Sequence, residues 1–250
     1  MKRDVLVCAD PAELATAASS ILVEAARSAQ AERGVFSLAL AGGSTPLETY
    51  RGLSKHALDW ARTQLFFGDE RVVPPDDPAS NFGSARRHLL DPAGVPASSV
   101  FPIPTEGASA DACARTYEGT LRARLIEPPK IDLVLLGLGE DGHTASLFPG
   151  SLALETKTRW VVAAPPGRLP PDVERITLTL PVLNAARRVL FLVQGAAKAE
   201  VLREVLELVP GRTTLPAARV QPVDGDVLWL VDRAAAEGLT ERTSRRQWAG

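Results

Sequence analysis

The sequence predicts an α/β fold: a single three-layer domain with a mainly parallel, Rossmann-like sheet and helices on both faces. Two observations predict it. Seven short runs rich in branched apolar residues recur along the 250-residue chain, and longer stretches of helical periodicity lie between several of them. Strands that alternate with helices need crossover connections, which make the sheet parallel and cover both its faces.

The elements follow in order. "VLVCA" (5–9) reads as the first buried strand, and its apolar run is too short for a signal-peptide core. The next stretch puts Leu14, Ala18, Ile21, Leu22 and Ala25 on one face, opens at Pro11 and stops before Gly34, as a helix should. "FSLALA" (36–41), "TQLFF" (63–67) and "IDLVLLG" (131–137) read as further buried strands, with a helix from 109 to 126 before the last of them. "WVVAA" (160–164), "RVLFLVQG" (188–195) and "VLWLVD" (227–232) complete the set, and a helix fills 197–210. The Pro-rich stretch 164–175 is expected on the surface. The whole is expected to be one domain over 1–240, with 241–250 a flexible tail.

Composition narrows the function. Hydrophobic residues make up 45% and charged residues 23%, which is globular rather than disordered. The net charge of -2 supplies no basic field, so neither nucleic acid nor an anionic membrane is an expected partner. Cys8 and Cys113 stand far apart without metal-ligand spacing, and no run approaches a membrane span. A cytoplasmic monomer acting on a small molecule is the expectation.

In open α/β sheets ligands bind beyond the carboxyl ends of strands, so chemistry is sought in the loops that follow them. After "FSLALA" comes "GGSTP": Gly42 and Gly43 allow close backbone approach, Ser44 and Thr45 offer hydroxyls, and Pro46 suits a helix start. This suits a phosphate nest, and equally a Gly turn with a Ser/Thr cap. After "TQLFF", Asp69, Glu70 and Arg71 leave a buried strand, either into the crevice or as ordinary loop charges. Ser80 and Asn81 fit a helix cap, with Asn81 also a ligand contact to consider.

"GLGEDGHTASLFPGS" (137–151) satisfies GxGxxG, yet the following strand ends without an acidic residue and Pro149 comes too soon for a helix. A dinucleotide loop is therefore disfavoured. His143 is the histidine of this loop, and an imidazole with a reference pKa near ~6.5 serves as general acid or base at neutral pH. Asp141 would orient it, unless both merely tie down the loop. No second His or Cys accompanies it at ligand spacing, so no metal is expected. Arg175 lies at a strand start and Lys198 at a strand-to-helix turn, as solvated charges or as parts of an anion pocket.

"LAGGSTP" (40–46), "FFGDERVVPPDDPASNFGSARRHLL" (66–90), "DLVLLGLGEDGHTASLFPGS" (132–151), "RITLTLPVLNAARRVLFLVQGAAKAEVL" (175–202) and "LWLVD" (228–232) together resemble the 6-phosphogluconolactonases, within the glucosamine-6-phosphate isomerase and lactonase superfamily. The resemblance implies cofactor-free hydrolysis of 6-phosphoglucono-δ-lactone to 6-phosphogluconate in the oxidative pentose phosphate pathway. It implies His143 as general base supported by Asp141, and Gly42, Gly43, Ser44 and Thr45 as the phosphate loop. Arg175 and Lys198 fall on basic contacts, and Asp69 and Arg71 on the element lining the sugar site. The deaminase branch is similar in two loops but continues "GHIAFNEP", where this chain has Leu147 and Phe148 in place of the acid. A non-catalytic sugar-phosphate sensor would be expected to lack His143 or to carry a DNA-binding helix-turn-helix.

Overall fold

The computed structural model describes residues 3–107, 109–167, 171–207 and 215–248. In chain order these form β1 (Arg3–Cys8), α1 (Pro11–Arg33), β2 (Phe36–Leu40), α2 (Leu47–Leu53), β3 (Thr63–Phe67), β4 (Asp69–Arg71) and α3 (Asn81–Ala85). Then follow α4 (Ala110–Arg124), β5 (Leu133–Gly137), β6 (Val161–Ala164), β7 (Arg175–Leu178), α5 (Leu180–Leu183), β8 (Arg188–Val193), α6 (Ala199–Glu207), β9 (Asp226–Asp232), α7 (Arg233–Ala236) and β10 (Arg245–Gln247).

Among the described residues, seven strands make one parallel sheet in the order β10-β1-β9-β8-β5-β2-β3. The α/β class is as the sequence predicts. Every residue of β2 is buried, which requires cover on both faces of the sheet because successive side chains point opposite ways. Helix α1 packs along β1, β2 and β9. Its start is set by Asp10, whose carboxylate accepts from Glu13 N at 2.8 Å, and its end by Gly34 at φ +78°. Its buried side includes Ala26, while Ala25 is half-buried.

The register of β2 against β5 is fixed at their amino ends. Asp132 Oδ2 accepts from both Ser37 N and Ser37 Oγ at 2.8 Å, and Ser37 Oγ accepts from Asp132 N at 2.9 Å. Arg33 and Arg187 complete the lock, reaching Asp132 Oδ1 at 3.1 and 3.3 Å. The strand therefore starts at Leu133, after the predicted Ile131 and Asp132. Deeper in the core, Phe191 of β8 stacks on its cross-strand neighbour Trp229 of β9, with centroids 3.8 Å apart.

Three expectations change. Val161–Ala164 does not join the main sheet: β4, β7 and β6 form a second, antiparallel sheet, and Asp69–Arg71 belongs to it as a strand rather than a loop. The flexible tail expected over 241–250 is corrected at Arg245–Gln247, which pairs in parallel with β1, while Trp248 N donates to Val7 O at 2.9 Å. Those bonds satisfy backbone groups that would otherwise line an open sheet edge. Part of the Pro-rich excursion (168–170) and the end of the last predicted helix (208–210) lie outside the described residues. Both cysteines are buried and unpaired, and among the described residues no helix is long and apolar enough to cross a membrane.

Leu135 is fully buried in β5, between β2 and β8. Leu135→Ala should lower the unfolding free energy by about 2–5 kcal/mol in a urea titration, since the rigid sheet closes little of the cavity.

Candidate active site

Strands β8, β5, β2 and β3 are neighbours and run the same way, so the loops after all four open on one edge of the sheet. The chain moves outward from β2 to β3 and then returns to β5 on the other side of β2. This reversal is the switch point at which open α/β sheets place a ligand crevice.

The loop after β2 carries Gly42 to Pro46. A Cβ on Gly42 would lie 2.1 Å from Asn81 Oδ1, so only glycine lets the two segments meet. Gly43 takes φ +84°. Pro46 stands at the start of α2 and no side chain caps that helix, which removes the Ser/Thr-cap reading of the loop. Ser44 is exposed and Thr45 half-buried.

Strand alternation sorts the charged triplet that follows β3. Asp69 and Arg71 share one side of β4, and Glu70 takes the other. Glu70 ties down the start of α3, accepting from Arg71 N at 2.8 Å, Asn81 N and Phe82 N at 2.7 Å, and Ser80 Oγ at 3.1 Å. Burial pushes its carboxyl up, against the pull of those backbone donors. Ser80 is the cap of α3, accepting from Gly83 N at 3.0 Å.

Asn81 is buried and its amide is engaged: Nδ2 donates to Asp69 O at 2.9 Å and Oδ1 accepts from Arg71 Nη1 at 2.5 Å. Its place is behind Asp69 and Arg71, which it orients. Arg71 lies directly across from Arg175 in the β4/β7 register. Like charges so placed are destabilising. Arg175 is only 7% exposed, and Nε of each arginine is buried without a hydrogen-bond partner. Burial first, and then the Arg71 charge, lower the Arg175 pKa, while Asp69 and Glu70 oppose them.

The loop after β5 holds His143. Its Nδ1 lies 2.5 Å from Asp141 Oδ1, which also accepts from His143 N at 3.1 Å. A carboxylate only accepts, so Nδ1 is the donor of this pair, and in the neutral ring Nε2 is left as the acceptor. A Cβ on Gly139 would fall 2.0 Å from Nδ1, so glycine makes room for the imidazole. On the far side Gly142, at φ +79°, rests against Leu215, and its carbonyl accepts from Ala217 N at 3.0 Å.

Ala145 adopts φ +47°, a left-handed conformation uncommon for a residue with a Cβ, and the chain turns there to bury Ser146 completely. Ser146 Oγ donates to Asp69 Oδ2 at 2.6 Å and Ser146 N donates to Thr177 Oγ1 at 3.2 Å. The His143 loop is thereby joined to both strands of the small sheet that carry Asp69 and Arg175. Phe148 lies against His143 on one side, centroids 4.9 Å apart, and 5.8 Å from the Arg175 guanidinium on another. From the loop after β8, Lys198 Nζ reaches Glu140 Oε1 at 3.6 Å.

The residues singled out by sequence thus converge on one sheet edge. Sequence reasoning gave no site role of their own to Ser146, Glu70 and Thr177, naming Glu70 only within the charged triplet. The alternation of Asp69, Glu70 and Arg71 was the signal for the second, whereas nothing local marks the others. His88 instead closes its own turn, with Nδ1 2.8 Å from Ser84 O, and His56 is exposed. Among the described residues no group of three His, Cys, Asp or Glu side chains is placed to hold a metal ion.

This is an open α/β sheet with a histidine–aspartate pair and a buried arginine at its switch point. The chain belongs to the glucosamine-6-phosphate isomerase/6-phosphogluconolactonase family, whose model matches residues 9–229. It is 41% identical over 213 residues to a 6-phosphogluconolactonase of Synechocystis, covering 84% of this chain and 87% of that protein. Rat 6-phosphogluconolactonase is 39% identical, with 94% and 93% covered. The solved 6-phosphogluconolactonase of Trypanosoma brucei superposes with a TM-score of 0.85 at 36% identity, over 96% of this chain and 99% of that one.

Gly139→Ala tests the ring's seat. Displacing the imidazole should lower kcat by about 100-fold, because misplacement of a reacting group by about 1 Å costs that much. Circular dichroism of the variant should remain that of the parent.

Proposed function

We propose that this protein hydrolyses 6-phosphoglucono-δ-lactone to 6-phosphogluconate, with His143 as general base. The observation that carries the reading is the imidazole whose Nδ1 is held by Asp141, one aromatic ring away from a buried guanidinium that lacks a partner at Nε. Such a site can activate water and attract an anionic substrate at once. The names of the family relatives support the lactonase activity.

In the proposed reaction Nε2 takes a proton from water as the oxygen attacks the lactone carbonyl carbon. Collapse of the tetrahedral intermediate breaks the bond from that carbon to the ring oxygen, and the imidazolium returns its proton there. The imidazolium formed midway is stabilised by the Asp141 carboxylate. The reading gives Arg71 the stabilisation of charge developing on the carbonyl oxygen, and Asp69 the sugar hydroxyls. The phosphate is assigned to the loop from Gly42 to Thr45 with Lys198 and Arg175. No covalent nucleophile is needed, and Ser146 is spent on Asp69. The reading takes the protein to work as a cytoplasmic monomer without cofactor, metal or nucleic acid.

Amino-sugar ring opening and deamination is the weaker reading. At the positions where the similar branch has its acid, this chain buries Leu147 fully in the core and lays Phe148 against His143. Neither can relay a proton.

The direct test follows freshly generated 6-phosphogluconolactone with and without the protein, beside ammonia release from glucosamine 6-phosphate. Acceleration of the first alone is expected, and ammonia release would overturn the assignment. His143→Ala should reduce the catalysed rate by about 10²–10⁴-fold, the span of general-base contributions, with 6-phosphogluconate binding retained in calorimetry. Lys198→Ala should raise KM about tenfold at constant kcat, as loss of one charge-assisted contact does.

A further inference from the structure

Lys198 follows β8 in a short turn, Ala196–Lys198, that no side-chain cap holds. The turn hangs from Gly195, whose carbonyl accepts from Lys198 N at 3.0 Å. Gly195 itself adopts φ +91° and ψ 147°, a region open essentially to glycine. What holds it there comes from another strand. Asp232, the last residue of β9, is 3% exposed, and both of its carboxylate oxygens accept from Gly195 N at 3.0 Å. The same carboxylate caps α7, accepting from Ala235 N at 2.8 Å.

A buried carboxylate shared by two backbone N–H groups is a strong and directional tie, because both donors converge on one acceptor group. Cys8 stands beside Asp232 in the β1/β9 register, and burial pushes its thiol up to about 12, so it adds no competing charge. Helix α7 needs only a cap, which Asn or Ser would also supply. The bond to Gly195 has no such local reason. It joins the carboxyl end of β9 to the turn that delivers the ammonium.

We infer that Asp232 is a positioning residue, fixing the Gly195–Lys198 turn so that Lys198 Nζ stands ready beside the His143 loop for the substrate's phosphate. The inference rests on the reading of Lys198 as a phosphate contact. Asp232 itself touches no substrate. Its effect passes through Gly195 N, the Gly195 carbonyl and Lys198 N, and is felt at the phosphate and not at the carbonyl carbon.

Steady-state kinetics on 6-phosphogluconolactone with Asp232→Asn, Lys198→Ala and the double variant test this. Asparagine keeps Oδ1, which accepts from both Ala235 N and Gly195 N, but puts an amide donor where Oδ2 also accepts from Gly195 N, which loosens that tie. Asp232→Asn should raise KM about fivefold with kcat unchanged, and the double variant should show the KM of Lys198→Ala alone, since residues acting as one unit are not additive. An unmoved KM, or multiplicative effects in the double variant, overturns the inference and leaves Asp232 as a cap seen only in the melting temperature. If Lys198→Ala itself leaves KM unchanged, the phosphate reading of Lys198 fails first and takes the inference with it. Should Asp232→Asn not fold, Gly195→Ala carries the same test, because a Cβ there meets no atom and acts only through the backbone angle. Its KM should rise likewise, and an unchanged value is equally fatal.

Discussion

The pairing of β2 with β5 is the constraint on which the site depends. Only a few residues pair directly, and the Ser37–Asp132 lock sets where they do. A slip by one residue would turn every side chain of β2 to the opposite face and shift the Gly42–Thr45 loop along the sheet away from the His143 loop. The lock lies at the amino ends of the strands and the chemistry at the carboxyl ends. Rigid strands carry the alignment across.

Around this axis the charges are arranged by a second sheet, which sends Val161, Ile176 and Leu178 into the core and carries Asp69, Arg71 and Arg175. Strands β4 and β7 set Arg71 against Arg175. Ser146 then draws the His143 loop onto Asp69, and Asn81 holds Asp69 and Arg71 in place from behind. The result is a pair of facing like charges, costly to bury and only partly offset by Asp69 and Glu70. Folding energy from the buried sheet offsets that cost, in keeping with strain being stored where function needs it.

Much of this was legible in the chain. Long elements with strong periodicity and proper ends, such as α1 between Asp10 and Gly34, announce themselves, and so does a single histidine in a Gly-rich loop after a run as apolar as Leu133–Leu136. The antiparallel sheet was not legible as such. Its strands have three or four residues, too few to show an alternation, and the partner of β4 is remote in sequence. Strand β10, Arg245–Gln247, is exposed and polar, and its backbone pairs with β1 while Arg245 donates to the Ala236 and Leu239 carbonyls. Ser146 and Asp232 escaped for a related reason. Their residue types are common, and their meaning comes from a partner 77 positions away in one case and 37 in the other.

The His143 loop is fastened from several directions: by Ala217 at Gly142, by Thr177 and Asp69 at Ser146, and within itself by Thr144 Oγ1 on Gly137 O at 2.9 Å. Such a loop has little conformational freedom left to lose when a ligand arrives. The ordering entropy has already been settled during folding, so under the proposed function contacts made with a substrate would be converted into binding with small losses. Calorimetry should then find complex formation at this site nearly free of the unfavourable entropy that accompanies loop closure, and a protein whose heat capacity changes little beyond the area the ligand itself covers.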